Sequence, residues 1–149
     1  MTTPRLAVRA VLLDEDRLLM VNAYPDNQSD LMVVPGGGVE VGSSLPDNLR
    51  REVHEETGLS ITVGDPCLVN EFHDPETGFH QVDIYFRCTL DGSALIDAGW
   101  QDSEAIVTDR RWLTEAELAD RRHKPDSLRA VAFGPPGRII YDPLEILVR

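Results

Sequence analysis

Gly36-Gly37-Gly38-Val39-Glu40-Val41-Gly42-Ser43-Ser44-Leu45-Pro46-Asp47-Asn48-Leu49-Arg50-Arg51-Glu52-Val53-His54-Glu55-Glu56-Thr57-Gly58-Leu59 reads as a loop, a helix and a stop. Three glycines after Pro35 leave the backbone free to take positive φ and to bring its amides and carbonyls close to a ligand or ion. A helix follows. Ser44 is its N-cap, Pro46 falls in the first turn where a missing N–H costs nothing, and Asp47 complements the positive end of the helix dipole. Leu45, Leu49 and Val53 recur at i, i+4 and i+8 and form an apolar stripe that packs on a sheet. Gly58 ends the helix in the left-handed region.

Beside that stripe, Glu52, Glu55 and Glu56 stand at i, i+3 and i+4, so three carboxylates share one patch of helix surface. They resist ionising together unless a cation sits among them. Mg²⁺ suits such a patch: it is a hard ion, takes oxygen ligands, and is held by one or two carboxylates plus substrate phosphate. Mn²⁺ takes similar donors. A solvated acidic face is the competing reading, with Arg50 and Arg51 as neutralising partners and Arg51 to Glu55 at i, i+4. The coincidence of glycine loop, helix and acidic triplet favours a site.

The order G-x5-E-x7-R-E-U-x-E-E-x-G-U, with U a bulky aliphatic residue, is the signature box of the Nudix hydrolases, and the chain resembles it from Gly37 to Leu59. Arg51, Glu52, Val53, Glu55, Glu56, Gly58 and Leu59 match, whereas Ser43 stands where the family has its first glutamate. The resemblance implies an α+β fold, a Nudix-like α/β/α sandwich around a mixed sheet, and hydrolysis of a pyrophosphate bond with Mg²⁺. It makes Glu52 and Glu56 the principal metal ligands, Glu55 a further ligand and the Gly36 carbonyl a backbone ligand. Arg51 would orient Glu52 by a charge-assisted hydrogen bond. At Ser43 a neutral hydroxyl weakens the metal network without abolishing it, and Glu40, three residues earlier, is the candidate to replace the missing carboxylate.

Residues 1–149 are expected to form one domain, long enough to bury roughly 70% of the surface of the unfolded chain. With Cys67 and Cys88 alone and far apart, neither a disulfide framework nor a zinc site is expected. No signal peptide precedes Arg5, and no apolar run approaches the ~18 residues that a membrane span needs, so the chain reads as soluble and cytoplasmic. A formal charge of −12, from 26 acidic and 14 basic residues, argues against a nucleic-acid polymer as partner. A small nucleoside diphosphate derivative fits, because bound cations reverse the local field where phosphates sit.

Along the chain, 5–13 and 17–23 flank the turn Asp14-Glu15-Asp16 as a hairpin. The polar loop 24–30 leads into a short apolar strand at 31–34. After the box, 61–63 and 67–72 read as a strand interrupted at Gly64-Asp65-Pro66. Residues 79–90 alternate, with Val82, Ile84, Phe86 and Cys88 on one face and Gln81, Asp83, Tyr85 and Arg87 on the other, the polar face directed at a cleft. His73 and His80 bracket the intervening turn and are read as surface residues in preference to catalytic ones. Residues 91–109 form a loop whose acidic residue completes the metal shell or serves as base in many Nudix enzymes. Glu104 resembles that residue, with Asp102 as its competitor. Either Glu52 or Glu104 is then the general base. Residues 105–113 are expected as a strand, followed by a helix with the capping box Thr114-x-x-Glu117 that ends at Pro125. A short helix within 126–133 and strands at 138–141 and 144–148 complete the reading.

The substrate class left by this reasoning is a nucleoside diphosphate joined to a nucleotide, a sugar or an ADP-ribose-like group. Pro75 lies one position from a proline that resembles the ADP-ribose-cleaving subgroup. Family resemblance also allows a homodimer. The alternative from another class is a non-hydrolytic nucleotide-binding regulatory module with a degenerate box, against which the retained Glu52, Glu55 and Glu56 argue.

Overall fold

A computed structural model describes residues 3–149. In chain order its elements are β1 (Arg5–Asp14), β2 (Arg17–Asn22), β3 (Met32–Val33), β4 (Gly36–Gly38), α1 (Leu45–Thr57), β5 (Ile61–Asp74) and β6 (Phe79–Leu90). These are followed by β7 (Arg110–Leu113), α2 (Glu115–Ala119), α3 (Leu128–Ala132), β8 (Ile140–Tyr141) and β9 (Glu145–Ile146).

The strands form a mixed sheet ordered β3-β2-β1-β6-β5-β8, with β4 on β1, β7 on β2 and β9 on β5. β1 is the hub. Its last residues turn into β2 through Glu15 and Asp16, both at positive φ as a tight hairpin requires. Arg5 to Leu12 run parallel to Gln81 to Cys88 of β6, while Ala7, Val8 and Arg9 pair antiparallel with Gly38, Gly37 and Gly36 of β4. The glycines expected as a loop are therefore a short strand. Only a non-local partner makes them so, and that partner admits no side chain: a Cβ on Gly36 would lie 2.0 Å from the Val8 carbonyl.

Period-2 alternation divides two cores. Val8, Ala10 and Leu12 of β1, with Phe86 and Cys88 of β6, pack under Leu49 and Val53 of α1. Val11, Leu68, Tyr85 and Leu113 face the opposite side, against Leu118 of α2 and Leu128 and Val131 of α3. Helices on both faces of one sheet give the expected α/β/α arrangement. α1 is capped as its sequence requires: the Ser44 hydroxyl accepts from the Asp47 N–H, and Gly58 closes the helix at φ 76° with its N–H donated to the His54 carbonyl.

Four expectations need correction. Gly64-Asp65-Pro66 does not break β5; the strand stays paired with β6 through a bulge between Val63 and Leu68. β7 begins at Arg110, not at Ala105, because backbone N–H groups before it are captured by a side chain, as described below. α2 has its capping box, yet it ends at Ala119 instead of running to Pro125. The chain beyond it is drawn into bonding with β3: the Met32 N–H donates to the Arg122 carbonyl at 2.9 Å, and the Lys124 N–H to the Met32 carbonyl at 3.2 Å. The strand-like C-terminal stretches are also shorter than expected, being confined to Ile140–Tyr141 and Glu145–Ile146. Both Cys67 and Cys88 are free thiols in the interior. Among the described residues no helix is long and apolar enough to cross a membrane.

Candidate functional site

α1 buries two stripes, not one. Beside Leu49 and Val53, the polar residues Asn48, Glu52 and Glu56 also recur every fourth position and are buried. Burying carboxylates is costly unless they are paired or hydrogen-bonded, so their partners define the site.

Glu52, Glu55 and Glu104 each offer a carboxylate oxygen, and the three oxygens lie within 4.8 Å of one another. Two helical residues and one loop residue thus come together, and Glu56, expected with Glu52 as a principal ligand, is not among them. Arg51 holds the helical pair. Its Nη1 donates to Glu52 Oε1 at 3.2 Å and lies 3.3 Å from Glu55 Oε2, while its Nη2 donates to Asn48 Oδ1 at 3.1 Å. Glu40 stands 3.7 Å from Arg51 and is largely exposed, a looser partner than the replacement role expected of it would need. Burial raises the proton affinity of Glu52; Arg51 opposes this, and Glu104 and Glu55 add to it. A buried acid ringed by like charges is the electrostatic form of a place for a cation.

Glu56 sits apart from that cluster. Its Oε1 accepts from the Gly36 N–H at 3.1 Å. Burial pushes its carboxyl up to about 8, against the pull of Arg9 and the Gly36 N–H, with Glu52 and Asp102 reinforcing the rise. Gly36 and Gly37 stand close to these acids for a steric reason: a Cβ on Gly37 would fall 2.5 Å from the Glu52 carboxylate.

Asp102 has a different task from Glu104. Its Oδ1 accepts from the Glu104 N–H at 3.1 Å, and its Oδ2 from the N–H groups of Ile106 and Val107 at 3.1 and 2.9 Å. With its oxygens so committed, Asp102 shapes the loop, and Glu104 presents the carboxylate. Two further side chains tie this region to the end of α1. Trp100 Nε1 donates to the Glu55 carbonyl at 2.9 Å, and Arg110 Nε to the Glu56 carbonyl at 2.6 Å, filling acceptors that a helix C-terminus leaves open. His73 and His80 face each other across the β5–β6 hairpin and belong to neither the acidic cluster nor the adjacent cavity.

That cavity, of about 520 Å³, has Gly36, Gly37, Glu56 and Glu104 in its wall and extends over the polar face of β6. Gln81, Asp83 and Tyr85 line it, so the polar side of the alternating strand does face a cleft. Here sequence reasoning missed a relay that runs from exposed Arg5 to the buried side chains of Gln81 and Asp83. Arg5 Nη1 donates to Gln81 Oε1 at 2.5 Å, Gln81 Nε2 donates to Asp83 Oδ1 at 2.7 Å, and Asp83 Oδ2 pairs with Arg9 Nε at 3.4 Å. Alternation along β1 and β6 held the signal, since Arg5, Arg9, Gln81 and Asp83 occupy odd positions of adjacent parallel strands. Lys124 pairs with Glu145 at 3.4 Å and Arg149 with Asp74 at 3.6 Å elsewhere on the wall. Phe72 and Phe79 lie with ring centroids 6.1 Å apart and give one side an aromatic surface.

Comparison with known proteins identifies the family. The NUDIX domain family model matches residues 3–132. Diphosphoinositol polyphosphate phosphohydrolase 3-alpha of Homo sapiens is 31% identical over 115 residues, 74% of this chain and 64% of that protein. The ADP-ribose pyrophosphatase of Methanocaldococcus jannaschii is 28% identical over 106 residues, 71% of this chain and 62% of that protein. The chain thus spans less than two thirds of the length of these curated relatives. Among solved structures, a NUDIX hydrolase from Nitrosomonas europaea superposes with a TM-score of 0.70 at 21% identity, covering 85% of this chain and 84% of the other, a likeness of fold. With its glycine strand, capped acidic helix and sheet hub matched across 130 consecutive residues, the chain belongs to the Nudix family.

Proposed function

We propose that the chain is a divalent-cation-dependent hydrolase that cleaves the pyrophosphate bond of a nucleoside diphosphate joined to a nucleotide, a sugar or an ADP-ribose-like group. The convergence of Glu52 and Glu55 with Glu104, which itself lines a polar and aromatic cavity, carries this reading.

The donor set is all oxygen and crowded with like charge, which fits Mg²⁺ or Mn²⁺. Glu52, Glu55 and Glu104 would hold the cation, with Glu56 and the Gly36 carbonyl as the further donors that the Nudix resemblance implies. A bound cation would shield the phosphates, sharpen the acidity of a nearby water and stabilise the leaving phosphate.

The chain's own residues supply the rest. Glu52, buried and held in orientation by Arg51, serves as general base. As the water oxygen bonds to phosphorus, its proton passes to the Glu52 carboxylate, and the bridging P–O bond breaks with its electron pair leaving on the departing phosphate. Glu104, on the loop opposite the helix, completes the acidic cluster.

The cavity favours a nucleoside. Phe72 and Phe79 offer a stacking surface to a planar base, and Gln81 and Arg5 offer polar atoms to its edge or to a ribose. A densely phosphorylated ring, the kind of substrate named for the human relative, calls for unpaired cations. Among the described residues Arg9, Lys124 and Arg149 of the wall are each paired with an acid, which leaves Arg5, bonded to Gln81, as the one lining cation without an acid partner.

Incubation with ADP-ribose, nucleotide sugars, dinucleoside polyphosphates and nucleoside triphosphates, with and without Mg²⁺, tests the proposal when products are separated by chromatography. Cation-dependent release of a nucleoside monophosphate, lost in Glu52→Gln, is expected. Ligand binding without cleavage across the set would instead make the chain a nucleotide-binding module.

A further inference from the structure

Asn48 is a buried carboxamide with no exposed surface, and every hydrogen-bonding position on it is filled. Its Oδ1 accepts from the Glu40 N–H at 2.9 Å and from Arg51 Nη2 at 3.1 Å. Its Nδ2 donates to the Ser43 and Ser44 carbonyls at 3.1 and 2.7 Å. The partners dictate the amide's orientation, because a backbone N–H and a guanidinium only donate, and two carbonyls only accept.

This places one side chain between the loop that leaves β4 and the guanidinium that holds Glu52 and Glu55. Ser43 is exposed and gives Asn48 only its carbonyl. Glu40 is 69% exposed at 3.7 Å from Arg51, so its carboxylate is screened by solvent. Asn48 therefore supplies the close, desolvated acceptor on the side of Arg51 facing away from the acids. Resting on the reading of the acidic cluster as a cation site, we propose that Asn48 is the positioning residue that orients Arg51, and through it the Glu52 and Glu55 carboxylates, toward the cation. The departure from the Nudix box at Ser43 is thereby met from within the helix, four residues before Glu52.

The arrangement predicts which half of the carboxamide matters. In Asn48→Ala, Arg51 loses its buried acceptor. In Asn48→Asp the acceptor stays, while the two donations to the Ser43 and Ser44 carbonyls are lost. A purely structural Asn48 would make both variants less stable and leave the cation affinity of the folded protein alone.

The test is Mn²⁺ binding to the full chain, followed by the electron paramagnetic resonance signal of the free ion at a temperature where each variant is folded. Chelator-treated samples are melted in parallel. Asn48→Ala is expected to bind Mn²⁺ about 10- to 100-fold more weakly, the usual cost of losing a residue that orients a ligand. Asn48→Asp is expected to keep the wild-type affinity while melting at a lower temperature. Equal Mn²⁺ affinity in Asn48→Ala and wild type would overturn the inference. If Asn48→Ala does not fold, Asn48→Leu, which keeps the volume and removes the acceptor, takes its place: weaker Mn²⁺ binding is expected, and unchanged affinity, or loss of binding in Asn48→Asp, overturns the inference. Wild-type protein that binds Mn²⁺, responds to Asn48→Ala as stated and yet cleaves nothing would leave the positioning role standing and defeat the hydrolase reading.

Discussion

Adding a single methyl group at Gly37 separates the stability of the fold from the integrity of the site. Gly37 lies in β4 opposite Val8, and its Cβ would sit 2.5 Å from both Cδ and Oε2 of Glu52. Ordinary contact begins near 3.4 Å, so the carboxylate must retreat by about 0.9 Å. The clash is with the end of a side chain and not with backbone, and Gly37 needs no left-handed φ. The strand therefore tolerates alanine, and the melting temperature in chelator should move little. Displacing a reacting group by about 1 Å can cost on the order of 100-fold in rate, so Gly37→Ala should lower kcat/KM by roughly that factor. Mn²⁺ affinity should fall with it. Gly99→Ala, which meets only Asp97 at 3.5 Å, serves as the control for a harmless glycine replacement. Gly37→Ala with unchanged turnover and Mn²⁺ affinity would refute the placement of Glu52 against β4.

Three further outcomes follow from the same geometry. A carboxyl whose pKa is higher in the folded than in the unfolded chain binds its proton more tightly when folded. Glu56, pushed up to about 8, should thus support the cation-free protein fully below about pH 4.5 and lose that support as pH rises toward 8, a change on the order of a few kcal/mol. Denaturant titrations in chelator across that range should show the decline in wild type and a flatter profile in Glu56→Gln. Asp102→Ala strips the acceptor from three backbone N–H groups and should cost about 1–3 kcal/mol in urea unfolding, together with weaker Mn²⁺ binding as Glu104 loses its mooring. Leu49→Ala, at a fully buried position under the sheet, should cost about 2–5 kcal/mol in the same assay while leaving the acidic cluster in place.

What was legible in the sequence was local. Ser44 and Gly58 cap α1 through bonds to residues within four positions, and Thr114 and Glu117 bond each other, so short-range chemistry announces them. Glu52 and Glu55 are one turn apart, and any helix brings them together. Errors began where a distant partner decides the outcome. Gly36 to Gly38 become a strand only because β1 lies beside them. The segment after α2 leaves the helical path for Met32, some ninety residues earlier in the chain. Asp102, whose type suited the cluster as well as Glu104 did, is diverted by three backbone donors, and that diversion delays β7 until Arg110. The cavity relay joins Arg5 to Gln81 across 76 positions, and parallel pairing of β1 with β6 is what assembles it. Asn48 was within reach, since its spacing from Glu52 and Glu56 marks a second buried stripe. A polar residue on a helix gives no sign of its burial until the strand it faces is known.

The most direct test of the account is a crystal of the wild-type chain soaked in Mn²⁺ and measured at a wavelength where manganese scatters anomalously. An anomalous peak is expected among the carboxylates of Glu52, Glu55 and Glu104. A cation bound elsewhere, with those three carboxylates left to solvent, would contradict it.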